Sequence, residues 1–228
     1  MMRGTLLLLT LLAGAVDAPT AVAADLPLGS GVNYRVPVKS IKELRFSSTT
    51  RQQYDFSCGS AAVATLLTYH YHYPVSETTA FQAMWEIGDQ AKIRREGFSL
   101  LDMQRYLAQI GFKADGFTVP LQKLFDSKLP AIVLIQENGY NHFVVIKGGE
   151  DGRVLLGDPS KGTRAVTREH FEAIWPTRLL FVIHDAPTKP DFNTANDWRA
   201  APRAPLREGA DWARLDTFGL PKFGPGDF

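Results

Sequence analysis

Arg51 to Leu67 reads RQQYDFSCGSAAVATLL and holds Cys58, the one cysteine among 228 residues. Two glutamines and an aspartate precede the thiol, and a run of small apolar residues follows it. From Ser57 to about Tyr71 nearly every side chain is apolar or small, the pattern of a helix buried on most faces. Pro74 ends it. Cys58 therefore stands at the opening of a buried helix, where free backbone N–H groups favour a thiolate and can receive an oxyanion. Gly59 lets a substrate backbone come close, and Ser60, Ala61 and Ala62 let the helix pack deep. The plainer reading is a small core residue that happens to carry sulfur.

The start of the chain sharpens that choice. Arg3 precedes an apolar stretch from Thr5 to Val16, and small residues at Ala21 and Ala23 suit a signal peptidase. The expectation is a cleaved secretory signal over residues 1–24, cut near Ala23 or Ala24, and a periplasmic mature protein. The stretch is short for a membrane span, which needs about 20 apolar residues. No later segment is apolar enough to span, so no membrane span is expected after signal removal. Exported proteins meet oxidising conditions, where thiols pair. A lone exported cysteine is buried, reactive, or joined to another chain.

The hydrophobic fraction of 45%, charged fraction of 21% and net charge of +1 are those of an ordinary globular domain. The chain lacks the basic surplus of a nucleic-acid binder, so no nucleic-acid partner is expected. It has neither zinc-type cysteine clusters nor a phosphate-cradling glycine loop, and no metal or cofactor is expected.

Residues 25–50 read as an N-terminal arm. It includes an edge strand around Val36, Val38 and Ile41, with Pro37 suited to an edge. Ser76 to about Ile87 is a second helix. Gly97 to Phe112 holds a third, opened by the Ser99/Asp102 capping signal and stopped at Gly111. The stretch GDQAKIRREG between them reads as a polar loop. After Gly111 the period changes to short strands: FKADGFTV, PAIVLIQ, HFVVIKGG, RVLLGD and RLLFVIH. GGEDGR turns one hairpin, and TREHFEAIW is a further short helix. Helices first and an antiparallel sheet second make an α+β fold. A domain over residues 51–184 is followed by an extended tail over 185–228 whose aromatics, Phe192 and Trp198 among them, suit docking.

A nucleophilic thiol needs a base and an orienting partner. Of the five histidines, His70 and His72 lie at the far end of the Cys58 helix, where end-of-helix packing outweighs metal binding. His170 falls on a helix surface, and His184 ends the last strand. His142 opens a strand after the loop ENGYN, and Asp158 ends the strand that returns across the hairpin. The two ends are expected to be neighbours, with Asp158 fixing the imidazole tautomer. Taken singly, His142 also reads as a satisfied strand-end histidine and Asp158-Pro159 as a turn opener. Upstream, Gln52 and Gln53 each offer an amide to an oxyanion, and each also reads as a solvated loop residue.

Together QQYDFSCGSAAVATLL, NHFVVIKGG and GDPSKG resemble the C39 peptidase family, the papain-like cysteine peptidases known as leader-processing domains of bacteriocin exporters. The family pattern places a glutamine six residues before a Cys-Gly pair and an Asp-Pro sixteen residues after a strand-opening histidine, and this chain has both spacings. The resemblance spans Gln52 to Ile183. It implies a papain-like fold with N-terminal helices packed on a C-terminal antiparallel sheet. It makes Cys58 the nucleophile, His142 the base, Asp158 its orienter and Gln52, rather than Gln53, the oxyanion donor. Ser57 departs from the aspartate often found before the cysteine.

The chain is also similar to stand-alone exported members associated with functional amyloid secretion. That implies a polypeptide partner, such as fibre subunits or their secretion machinery. A catalytically silent peptide-binding or chaperone module on the same fold is the alternative, and an acyl transferase would use the same triad.

Overall fold

The structure, a computed structural model, describes residues 23–28, 32–37 and 39–202. Residues 1–22, which hold most of the expected signal, and residues 203–228 of the tail lie outside the described part. Strands β1 (Ala23–Leu28) and β2 (Val32–Pro37) pair antiparallel, Ala23 opposite Pro37 and Leu28 opposite Val32. They form a two-stranded unit of their own. Ile41, expected in a strand, instead opens the short helix α1 (Ile41–Arg45) of the main body.

In the main body, α2 (Cys58–His70) is the buried helix its composition demands, with Cys58 through Leu67 all buried. Helix α3 (Glu77–Ile87) is capped by Ser76, whose hydroxyl accepts from the Thr79 N–H. The polar stretch 88–97 is not a loop: it holds α4 (Gln90–Glu96). Asp89 caps α4, Ile93 buries its one apolar side chain, and Gly97 leaves at φ +79°. With a single buried residue the helix carries no readable stripe, so caps rather than periodicity mark it. Helix α5 (Leu100–Gln109) carries the expected capping box, with Ser99 and Asp102 satisfying each other's backbone N–H groups.

The sheet has six strands, β3 (Lys113–Thr118), β4 (Ala131–Glu137), β5 (Tyr140–Glu150), β6 (Arg153–Asp158), β7 (Gly162–Thr167) and β8 (Leu179–His184). They lie side by side in the order β3-β8-β4-β5-β6-β7, every neighbouring pair antiparallel. Helix α6 (Leu121–Ser127) interrupts β3 and β4, and α7 (Arg168–Ile174), capped by Thr167, interrupts β7 and β8.

Helices cover both faces of this sheet. Leu66, Leu67, Met103 and Leu107 pack with Ile132, Phe143 and Val145 on one side. Leu121, Leu124 and Phe171 pack with Val133, Ile135, Val144 and Ile146 on the other. Central strands buried on both faces lose polar alternation, which is why AIVLI and FVVI read as continuous apolar runs.

Two hairpins set the register around the site. Asn138 and Gly139, both at positive φ, turn β4 into β5; Asp151 and Gly152 do the same between β5 and β6. The expected loop ENGYN is thus a tight turn, and His142 is the third residue of β5 rather than its first.

The segment after β8, read as extended, is docked through residue 202 and holds the short helix α8 (Ala195–Trp198). Asp191 donates its N–H to the His70 carbonyl (2.9 Å), and Asn193 donates to the Lys147 carbonyl (2.8 Å).

Candidate active site

Cys58 is the first residue of α2 and is buried. No side chain caps this helix. The Ser57 carbonyl accepts the Ala61 N–H and the Ser60 hydroxyl, so the first turn is held from within. The Cys58 N–H has no acceptor among the described residues. Uncapped N–H groups beside a thiol are what an incoming carbonyl oxygen needs. On the helix's inner side, Gly59 packs so closely on Met103 and Phe98 that an added Cβ would stand 2.8 and 3.0 Å from them.

His142 and Asp158 meet. His142 Nε2 lies 2.8 Å from Asp158 Oδ1. The strand register explains it. Val145 pairs with Gly157, so Asp158 shares a face with Val144 and therefore with His142, one pleat further along. Burial of the ring works against its charge, but the hydrogen bond to Asp158, followed by the pull of Cys58, outweighs burial. The imidazole pKa is lifted to about 9. Cys58 also reaches the ring, and its side-chain hydrogen bond adds to that rise. Such bonds often tighten only when substrate arrives.

Asp158 is fully buried. Burial alone would raise its carboxyl, yet His142, Ser160 and Arg164 hold it well below the usual carboxylate range. Its Oδ1 also accepts from the Ser160 N–H (2.9 Å), the Ser160 hydroxyl (2.7 Å) and the Lys161 N–H (3.2 Å). The Asx turn that Asp-Pro announces in sequence is therefore present, and the same carboxylate holds the histidine.

Gln52 lies in the loop before α2, and its backbone N–H donates to the Pro159 carbonyl (3.1 Å). Its side-chain amide does not present a free donor. Nε2 donates to the Tyr54 carbonyl (3.0 Å) and reaches toward the Asp55 carbonyl (3.5 Å), while Oε1 is buried without a partner. Gln53 turns elsewhere, donating to the Thr78 hydroxyl (3.0 Å). Ser57 closes the same turn: its hydroxyl accepts from the Tyr54 N–H (3.1 Å) and donates to the Tyr54 carbonyl (3.0 Å). Gln52 and Ser57 thus brace one turn from two sides.

A family model for the C39 peptidases matches residues 47–187. The chain belongs to the C39 peptidase family. It is 41% identical over 175 residues to a probable functional amyloid protease, FapD, of Pseudomonas fluorescens, covering 77% of this chain and 76% of that one. The FapD of Pseudomonas aeruginosa is 37% identical, covering 80% of each chain. The fold is that of the C39 peptidase domain of the Streptococcus ABC transporter ComA (TM-score 0.51, 22% identity), covering 62% of this chain and 98% of that domain.

The remaining histidines stand apart from the His142–Asp158 pair. His70 is buried, with its Nδ1 2.6 Å from the Asp191 carbonyl. His72 faces the Asp191 carboxylate at 3.5 Å, His184 bonds Asp115, and His170 lies exposed on α7. Among the described residues no three His, Cys, Asp or Glu side chains group to hold a metal ion.

Two buried charges, Lys147 and Asp197, escaped sequence reasoning. Lys147 is fully buried in β5, and its Nζ donates to Asp197 Oδ1 (2.6 Å), the Ser48 carbonyl (2.6 Å) and the Ser48 hydroxyl (2.8 Å). Burial lowers the Lys147 pKa against the pull of Asp197, whose own carboxyl Lys147 holds down despite burial. The lysine thus ties α8 to the segment that leads into Gln52. The one available signal was its place inside the apolar run HFVVIKGG.

Proposed function

We propose that this chain is an exported cysteine peptidase that cuts a polypeptide partner of functional amyloid secretion. One observation carries the chemistry: an imidazole clamped by a buried carboxylate stands beside a thiol at an uncapped helix N-terminus. The FapD relatives, named as probable functional amyloid proteases, supply the biological setting. The signal-like pattern of residues 1–24 supports export to the periplasm.

In this reading the thiol proton has passed to His142, and the Cys58 sulfur attacks the scissile carbonyl carbon. The oxygen takes the negative charge opposite the Cys58 N–H and the Gln52 amide, which turns from Tyr54 to meet it. His142 gives its proton to the leaving amine, and a thioester remains on Cys58. The neutral imidazole then takes a proton from water, whose oxygen attacks the thioester carbon. The acid product leaves, and the proton on His142 again faces the sulfur. Asp158 keeps the ring oriented throughout.

A peptide-holding role without cleavage is the second reading. The Gln52 amide favours it, because its donors are spent on Tyr54 and Asp55 rather than on the site. One experiment separates the two. The protein and a Cys58→Ala variant are each incubated with fibre-subunit precursors, and the products are weighed by mass spectrometry. Cleavage by the wild type and none by the variant is the expected result. Equal cleavage by both sinks the thiol mechanism, and binding without products by the wild type establishes the holding role.

A further inference from the structure

We propose that Arg164 is a positioning residue for this peptidase, fixing the Asp158 carboxylate that orients His142, and that Glu137 keeps Arg164 in place. The inference rests on the reading of Cys58, His142 and Asp158 given above.

The two oxygens of Asp158 are held very differently. Oδ1 is shared by His142, the Ser160 N–H and hydroxyl, and the Lys161 N–H. Oδ2 has a single partner among the described residues, the Arg164 Nε–H at 3.0 Å. A carboxylate turns about its Cβ–Cγ bond, and that one contact sets its plane. Without it Oδ2 is a buried anionic oxygen with no donor, and rotation toward another donor carries Oδ1 off the imidazole.

Arg164 is itself held. Its Nη2 donates to Glu137 Oε2 (3.0 Å), and the same Oε2 accepts from Lys161 Nζ (2.6 Å). The Lys161 backbone N–H returns to Asp158, so Asp158, Arg164, Glu137 and Lys161 close a ring. Strand register builds it. Arg164 pairs with Leu156, two residues before Asp158, and Ile135, two residues before Glu137, pairs with His142. Alternation then places Glu137, His142, Asp158 and Arg164 on one face. The other titratable groups near this face are the Cys58 thiol of α2 and Arg45 of α1, packed on Gly162. Arg45, Arg153 and Arg199 border the cavity of ≈460 Å³ beyond Arg164, and no carboxylate lines it to compete for the guanidinium. A lysine at 164 has one nitrogen and cannot hold Asp158 and Glu137 at two fixed points.

The test measures kcat and KM across pH for peptide cleavage by the wild type and by R164Q, R164K and E137Q. Folding of each is confirmed by circular dichroism. R164Q is expected to lose about 10- to 100-fold in kcat with KM within about threefold. R164K is expected to recover part of it, and E137Q to show the same change more weakly. The alkaline limb of the rate profile should move to lower pH in R164Q, because His142 loses its carboxylate. Loss of a positive charge beside an undisturbed Asp158 would move that limb upward, and a merely structural role would leave it unmoved; either result overturns the proposal. Should R164Q fail to fold, E137Q, altered at a partly exposed side chain, decides by the same limb. A wild type that cleaves while every Arg164 and Glu137 variant matches it defeats this proposal alone. A wild type that never cleaves defeats the peptidase reading itself.

Discussion

The backbone N–H of Gln52 donates to the carbonyl oxygen of Pro159, the residue after Asp158, at 3.1 Å. The loop that carries the candidate oxyanion donor is thereby fastened to the turn that carries the candidate orienter. Thr49 and Thr163 add a hydroxyl–hydroxyl bond (2.7 Å) between the same two segments. Displacing either segment should disturb both groups.

Replacing Gln52 tests the oxyanion role. Gln52→Ala is expected to lower kcat by about 10²–10³ with little change in KM, as loss of one oxyanion donor does. Steady-state cleavage kinetics check it. A fall confined to KM would mean that Gln52 only shapes the turn at Tyr54.

The pH profile follows from His142. Its charged form persists to about pH 9, so kcat/KM should fall as pH rises through that value and the imidazolium is lost. Asp158→Asn removes the carboxylate that helps hold the proton, and the limb should move to lower pH. The profile of the two proteins, measured on one peptide substrate, decides the point.

Stability should depend on pH through His70. Its Nδ1–H donates to the Asp191 carbonyl, and Nε2 is buried without a partner. Burial first, then the Lys147 charge, depresses its pKa from 6.5 to about 4. The unfolded chain therefore binds a proton near pH 6.5 that the folded chain refuses until about pH 4. This contribution is present above pH 6.5 and is lost as pH falls through about 4, worth up to about 3 kcal/mol. His142 has the opposite sign: its contribution is present below 6.5 and lost as pH rises through about 9. Urea unfolding at pH 5 and pH 7 should show a smaller difference for His70→Gln than for the wild type.

Asp197→Ala should destabilise the fold by about 3–5 kcal/mol, because it leaves the Lys147 ammonium buried without its anion. The double change Lys147→Met with Asp197→Leu should cost less than Asp197→Ala alone. Denaturant midpoints read both. Equal losses would mean that the pair contributes through packing only.

Gly148→Ala tests the docking of the segment after β8. A Cβ there would stand 2.2 Å from Asn193 Oδ1 and 2.8 Å from its Cα, so the segment must shift. A loss of about 1–3 kcal/mol and faster amide exchange over residues 191–198 are expected.

Local rules carried much of the architecture. The Ser99/Asp102 capping box, the Asp151-Gly152 turn and the all-round apolar α2 are each decided by residues within one turn of one another. Helix α4 was missed because one buried side chain, Ile93, leaves no stripe to read. Strand β7 was missed because GTRAVT is short and carries little alternating apolar signal; helix α6 does show Leu121, Leu124 and Phe125 at helical spacing, but over only seven residues.

The sequence by itself determined that a thiol opens a buried helix and that a histidine and an aspartate flank one hairpin. Both follow from spacing along the chain. Only the tertiary structure decided which charges are buried. Lys147 and Asp197 look like surface residues of a strand and of the tail. Their partners stand up to 149 residues away, in Ser48 for Asp197. A buried charge is stable only where such partners converge, and the packed sheet brings them together.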